Sequence, residues 1–326
     1  MKTFKVFDAH SDILADVTDK RMKGKKNILR NYHIGRLQKG NVNGILLAVW
    51  IDPPYVNNAT KRMMDILAAT CEEIGDMKDC AAVAENAQDI RNIQASGKLA
   101  IVLGMEGLSG LKGNVDVLSM LYRLGIRHAM LTWNEENEFA TGVKSPNKER
   151  GVTKIGFEAL TKMENLGILI DTSHANEKTF WDIYEKTTKP FIASHSNVYN
   201  ICNTERNLKD DQIKAIAERK GVIGMNSWAG FIDKQKPCVE KLADHIDYIT
   251  DLVGIDYISF GFDFCDFLNS DAMSFSKNGN GATPGLEDAS KIPNLINILI
   301  KRGYKSEDIE KIAYKNIMRV LEDVLN

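Results

Sequence analysis

Near the start of the chain, Val6-Phe7-Asp8-Ala9-His10-Ser11-Asp12 joins an apolar, partly β-branched run to a His-x-Asp pair. Side chains two apart on a strand point to one face, so His10 and Asp12 converge just past the end of such a strand. An imidazole nitrogen and a carboxylate oxygen at one point suit a borderline divalent metal such as Zn²⁺. The same pair also arises as a cap or a satisfied polar contact, so its meaning depends on what stands at the ends of other apolar runs. There the chain reads Gly104-Met105-Glu106-Gly107, Asp171-Thr172-Ser173-His174, Ala193-Ser194-His195-Ser196 and Gly261-Phe262-Asp263-Phe264. Individually these have structural explanations, with Glu106 or Asp263 capping a helix and His174 or His195 bonded to backbone inside a core. Their joint placement favours a metal site.

Six ligand-type groups exceed the three protein ligands, plus water, that one catalytic zinc uses. Two metals bridged by a carboxylate account for them: His10 and Asp12 on one side, His174 and His195 on the other, Glu106 between. Such a pair, roughly 3.5–4 Å apart, holds a bridging hydroxide and polarises a carbonyl. Asp263 is then left to shuttle a proton.

These residues need elements that bring distant parts of the chain to one place. Short, continuous apolar runs at 3–9, 44–50, 99–104, 126–132, 168–172, 190–194, 221–226 and 257–262 read as parallel strands covered on both faces. Helical patterns at 59–77, 113–124, 152–166, 176–187, 208–220 and 239–253 alternate with them. Asn207 is expected to open the helix that closes before Gly221, and a last amphipathic helix starts at Ser306. Residues 267–284 read as a long loop after the eighth strand. With no internal repeat or linker, eight strand–helix units argue for a (β/α)₈ TIM barrel, one domain over residues 1–326, with a doubly wound sheet as the alternative. In a barrel the candidate ligands fall at the C-terminal ends of strands, where such barrels carry their active sites.

The 326 residues are 44% hydrophobic and 26% charged with a formal net charge of −2, which leaves no electrostatic footprint for nucleic acid or a membrane surface. The one basic cluster, Lys20 to Lys26, reads as a solvated loop. The absence of an apolar leader or spanning segment, with five scattered cysteines, points to the cytoplasm and reduced thiols. His33 reads as a loop or helix surface residue and His245 as an ordinary outer-helix residue, and Trp228 and Phe231 as barrel packing before pocket wall.

Taken in order, Asp-Ala-His-Ser-Asp, Gly-Met-Glu-Gly, Asp-Thr-Ser-His, Ala-Ser-His-Ser, Arg-Asn-Leu-Lys-Asp-Asp and Gly-Phe-Asp-Phe resemble the renal-type membrane dipeptidase family of binuclear zinc peptidases, over nearly the whole chain. The resemblance implies a (β/α)₈ metallohydrolase, usually a homodimer, that hydrolyses free dipeptides, often with a D-residue at the C-terminal position. It implies two Zn²⁺ per chain, the first on His10 and Asp12, the second on His174 and His195, with Glu106 bridging. Arg206 matches the arginine that grips the substrate carboxylate, and a guanidinium fork suits that task. Asp263 matches the acid that passes a proton from the attacking water to the leaving amine.

One departure stands out. After the fourth strand the animal members read Leu-Thr-His, the histidine polarising the scissile carbonyl, whereas here the text is Leu131-Thr132-Trp133-Asn134. The indole N–H of Trp133, or the amide of Asn134 or Asn137, is the expected replacement donor. The rival readings are an amidohydrolase acting on an N-acyl amino acid or lactam, and a degenerate member that binds without turnover.

Overall fold

The computed structural model describes residues 3–276 and 281–325. Its strands are β1 (Val6–Ser11), β2 (Val42–Trp50), β3 (Ala81–Val83), β4 (Leu99–Glu106), β5 (Ile126–Met130), β6 (Leu169–Asp171), β7 (Ile223–Met225) and β8 (Ile258–Phe260). All pair in parallel, in the order β6-β5-β4-β2-β1-β8-β7. The gap between β6 and β7 is closed by residues 192 and 193, which bridge Asp171↔Ile192 and Ala193↔Ile223. With that segment as the sixth stave the sheet closes into the expected barrel, a single α/β domain.

Every residue of β1 and β4 is buried, which is why β4 is continuously apolar from Leu99 to Met105 rather than alternating, while β1 carries Asp8, His10 and Ser11 among its apolar residues. Inside and outside faces are both covered, the latter by helices such as Ala59–Gly75, Lys154–Leu166 and Val239–Val253. Two glycines tighten the seam that carries the site. A Cβ at either Gly224 or Gly261 would fall 1.7 Å from the Ser194 carbonyl oxygen, so the staves bearing His195 and Asp263 approach closely only with glycine at both positions.

Differences from expectation have local causes. The strand β3 pairs only with the first residues of β4 and is too short for a periodic signal. Asn207 does not cap the Asp210–Glu218 helix: Lys209 stands at the cap, and the Asn207 amide donates to the carbonyls of Cys202 and Phe231. Lys220, not glycine, takes the left-handed position beyond that helix (φ 58°). The basic cluster is partly helical, because Ile13–Met22 includes Lys20 and Arg21, which pair with Asp16 and Glu73. The loop after β8 contains a short 3₁₀ turn, Ala272–Phe275; its residues 277–280 lie outside the described residues. The last helix is interrupted by a π turn at Lys311–Lys315 before Asn316–Val324. Among the described residues no helix is long and apolar enough to cross a membrane.

Candidate metal centre

The ends of the staves bring the ligand-type groups to one point on the barrel axis. Asp12 lies one residue past β1, and its Oδ1 is 3.7 Å from His10 Nε2. Glu106 ends β4 and faces both ways: Oε2 is 3.4 Å from His10 Nε2, and Oε1 is 2.9 Å from His174 Nε2. His195 Nε2 is 3.8 Å from Glu106 Oε1 and 2.9 Å from His174 Nε2. Asp263 Oδ1 is 3.8 Å from His10 Nε2, while its Oδ2 accepts a hydrogen bond from the Asn226 amide at 3.2 Å.

Donor atoms of His10, Glu106 and His195 lie within 4.8 Å of one another, as do those of His10, Asp12 and Asp263. Both His10 nitrogens, Asp12 Oδ1 and Glu106 Oε2 are buried and have no hydrogen-bond partner among the described residues. Three of these, His10 Nε2, Asp12 Oδ1 and Glu106 Oε2, converge, and orphaned buried atoms are costly unless something else satisfies them. A metal fits.

The histidine tautomers agree. Nδ1 of His174 lies 3.0 Å from Asn134 Oδ1, an acceptor, so Nδ1 carries the proton and the Nε2 lone pair faces Glu106 and His195. His195 Nδ1 is tied to Ser194 Oγ at 2.8 Å, leaving its Nε2 toward the same point. Burial, then the charge of Arg206, holds the His174 imidazole well below its ordinary value; burial, then His10, does the same for His195. Both are therefore neutral, as ligands must be. The other half of the centre is acid-rich. Burial, then the charge of Asp12, pushes the Glu106 carboxyl well up. Burial opposes protonation of His10, but Glu106 and Asp12 outweigh it and hold that imidazole well above its ordinary value. Burial raises Asp263 to about 6.

Two site residues sit in left-handed backbone without being glycine, His174 (φ 69°) and Asp263 (φ 57°). Such conformations cost of order 1–3 kcal/mol and persist where surrounding bonds over-determine them. Here the His174 carbonyl accepts the Val143 N–H at 2.7 Å.

A supporting layer lies beneath. Asp171 takes His128 Nε2 at 2.8 Å on one oxygen and the N–H groups of Ser173 and Ser194 at 2.8 and 3.0 Å on the other. It thereby ties together the two loops that carry His174 and His195. Burial works to raise its pKa, but the His128 bond outweighs this and the carboxylate lies below its ordinary value. Asp8 plays the equivalent part at the β1–β8 seam, its Oδ1 accepting the Phe262 N–H at 2.9 Å. Sequence reasoning gave these residues no role. The available signal was an acid inside an otherwise apolar buried run, which demands a partner.

Above the centre opens a cavity walled by Trp50, Trp133, Trp228, Phe231 and Phe275 and reached by Asn134, Arg206 and Lys144. Trp228 and Phe231 thus wall the cavity rather than fill the barrel. Arg206 is only 6% exposed; its guanidinium donates to the His195 carbonyl at 3.4 Å and lies 5.4 Å from the Phe231 ring. Trp133 packs edge-on against Trp50 and Phe275. Asn137 lies away from the cavity, its amide spent on the Leu131 carbonyl and the Phe139 N–H. His33 is buried against Asp16 rather than on the surface, and buried His245 bonds Val198 and Ile232.

A profile of the membrane dipeptidase family, Peptidase family M19, matches residues 1–326. The chain belongs to that family. It is a metallodipeptidase by class. Among its relatives is dipeptidase tcpJ of Claviceps purpurea, 28% identical over 321 residues covering 94% of this chain and 72% of that one. Another is dipeptidase aclJ of Aspergillus oryzae, 29% identical over 303 residues, 89% and 69% of the two chains. The fold is that of a metallopeptidase from Rhodobacter sphaeroides, solved with a phosphinate mimic of L-Ala-D-Ala (TM-score 0.88, 21% identity, 99% of this chain and 100% of that one).

Proposed function

We propose that this metallodipeptidase cleaves free dipeptides at a two-metal centre in which His10 and Asp12 hold one ion, His174 and His195 the other, and Glu106 bridges. The observation that carries the reading is Glu106, whose two oxygens address different histidines, Oε2 toward His10 and Oε1 toward His174. The donor set of imidazoles and carboxylates suits Zn²⁺. Bound there, divalent ions supply Lewis acidity to the scissile carbonyl and acidify water.

The chain's own residues do the rest. Arg206, buried at the cavity wall, grips the substrate's C-terminal carboxylate through its planar fork, which restricts the enzyme to substrates with a free C-terminus. Asp263 Oδ1, beside His10, takes a proton from the attacking water and returns it to the departing amine, with Asn226 steadying Oδ2. The aromatic wall excludes water from the side chains. Asn134 orients His174 and so serves the metal rather than the carbonyl, which leaves Trp133 as the indole donor near the substrate. The phosphinate ligand of the Rhodobacter neighbour supports the dipeptide class and a tolerated D-residue at the C-terminal position. Amine release from L-Ala-L-Ala, L-Ala-D-Ala and an N-acyl amino acid, each with and without chelator, tests the reading. Chelator-sensitive cleavage of the dipeptides is expected; cleavage confined to the N-acyl substrate would overturn it.

A further inference from the structure

The cavity holds a second cation that the proposed chemistry does not use. Lys144 lines the same space as Arg206 and the metal-binding acids, with its side chain exposed at the mouth. Its backbone is fixed: the Lys144 N–H donates to the Asn134 carbonyl at 2.9 Å, and the preceding Val143 N–H to the His174 carbonyl at 2.7 Å. Its ammonium has no ion pair and no hydrogen bond among the described residues; it stands 5.8 Å from the Phe275 ring. Nearby lysines differ. Lys148 pairs with Glu205 at 3.1 Å and Lys209 with Glu177 at 2.8 Å. The acids that reach the cavity, Asp12, Glu106 and Asp263, lie at its floor and are committed to the metal centre. Partial burial, then the charge of Arg206, holds the Lys144 ammonium below the ordinary lysine value, so the two cations feel one another across the cavity.

We propose that Lys144 binds a second carboxylate, carried on the side chain of the substrate's C-terminal residue, so that the enzyme prefers dipeptides ending in an acidic residue. The inference rests on Arg206 holding the main-chain carboxylate. Arg206 is the buried, planar fork close to the metal ligands, the place for the group common to all substrates. Lys144 is a point charge on a flexible stem at the mouth, the place for a group that varies. Two like charges facing one cavity repel until an anion lies between them, and a dianionic C-terminal residue answers both at once. The aromatic wall of Trp133 and Phe275 flanks the methylene portion of such a residue.

The test compares kcat/KM of the metal-loaded wild type and Lys144→Met on L-Ala-L-Asp and on its neutral isostere L-Ala-L-Asn. The wild type is expected to favour the acidic substrate by about tenfold, the worth of one charge-assisted contact at a partly solvated site. Lys144→Met is expected to bring that ratio near one, and Lys144→Glu to invert it while improving L-Ala-L-Lys. An unchanged ratio in Lys144→Met would overturn the assignment. So would an equal loss on both substrates, which would make Lys144 a second grip on the main-chain carboxylate. If the metal-loaded wild type cleaved no dipeptide, the underlying dipeptidase reading would fall instead, and this inference with it.

Discussion

Asn134 Oδ1 stands 3.0 Å from His174 Nδ1, so the loop after β5 decides which nitrogen of a candidate metal ligand is free. Outer contacts of this kind commonly contribute 10–100-fold to metal affinity. Asn134→Ala is therefore expected to weaken binding of the ion held by His174 and His195 by about that factor, with Asn134→Asp, which keeps an acceptor, less affected. Competition against a chelator of known affinity measures it. Equal affinities in wild type and Asn134→Ala would remove the orienting role.

Glu106 is a buried acid of the centre and Asp263 a partly buried one, and their expected losses differ. Glu106→Gln removes the bridging charge and should lose metal and turnover together. Asp263→Asn should retain metal while turnover falls by roughly 10²–10⁴, the usual worth of a positioned general acid–base. Metal content by elemental analysis beside kcat separates the two; an Asp263→Asn enzyme with full turnover would refute the proton-transfer role.

Arg206→Ala should raise KM for dipeptides by about 10–100-fold, the value of a charge-assisted fork, with a smaller effect in Arg206→Lys. A dipeptide with an amidated C-terminus should be as poor for the wild type as the free dipeptide is for Arg206→Ala. If amidation left KM unchanged, Arg206 would have another task.

Buried His245 accepts the Val198 N–H at Nδ1 and donates from Nε2 to the Ile232 carbonyl, so it is neutral in the fold. Burial, partly countered by the Ile232 bond, lowers its pKa from 6.5 to about 4. The stabilisation is fully present above 6.5 and is lost as pH falls through that window, because the unfolded chain takes up a proton that the folded chain refuses. The loss amounts to about 3 kcal/mol. Urea unfolding from pH 7 to pH 4 should show it, and His245→Gln should flatten that slope by one proton. Parallel curves would contradict the assignment.

Much of the barrel is legible in the chain because its staves are buried on both faces, which leaves runs such as Gly44–Trp50 and Leu99–Gly104 without polar interruption. The candidate ligands stand out because each closes such a run. What is not legible depends on long-range or orientational facts. His128 and Asp171 are 43 residues apart, and nothing local announces their bond. Trp228 precedes and Phe231 lies within the four-residue helix Ala229–Ile232, too short for its pattern to say which way the rings turn. Asn207 is the best cap by residue type, yet its amide satisfies the carbonyls of Cys202 and Phe231 and Lys209 starts the helix instead. Asn134 is readable as a polar residue near the site, but only the closed barrel shows that its Oδ1 meets His174 Nδ1 at the edge of the cavity.

The most direct test of the two-metal reading is a titration of metal-stripped enzyme with Zn²⁺, following bound ions per chain and L-Ala-L-Ala cleavage in the same samples. The arrangement of Glu106 between His10 and His174 predicts two ions per chain, with activity completed by the second and abolished in Glu106→Gln. Full activity at one ion per chain, or cleavage that survives complete removal of metal, would contradict it.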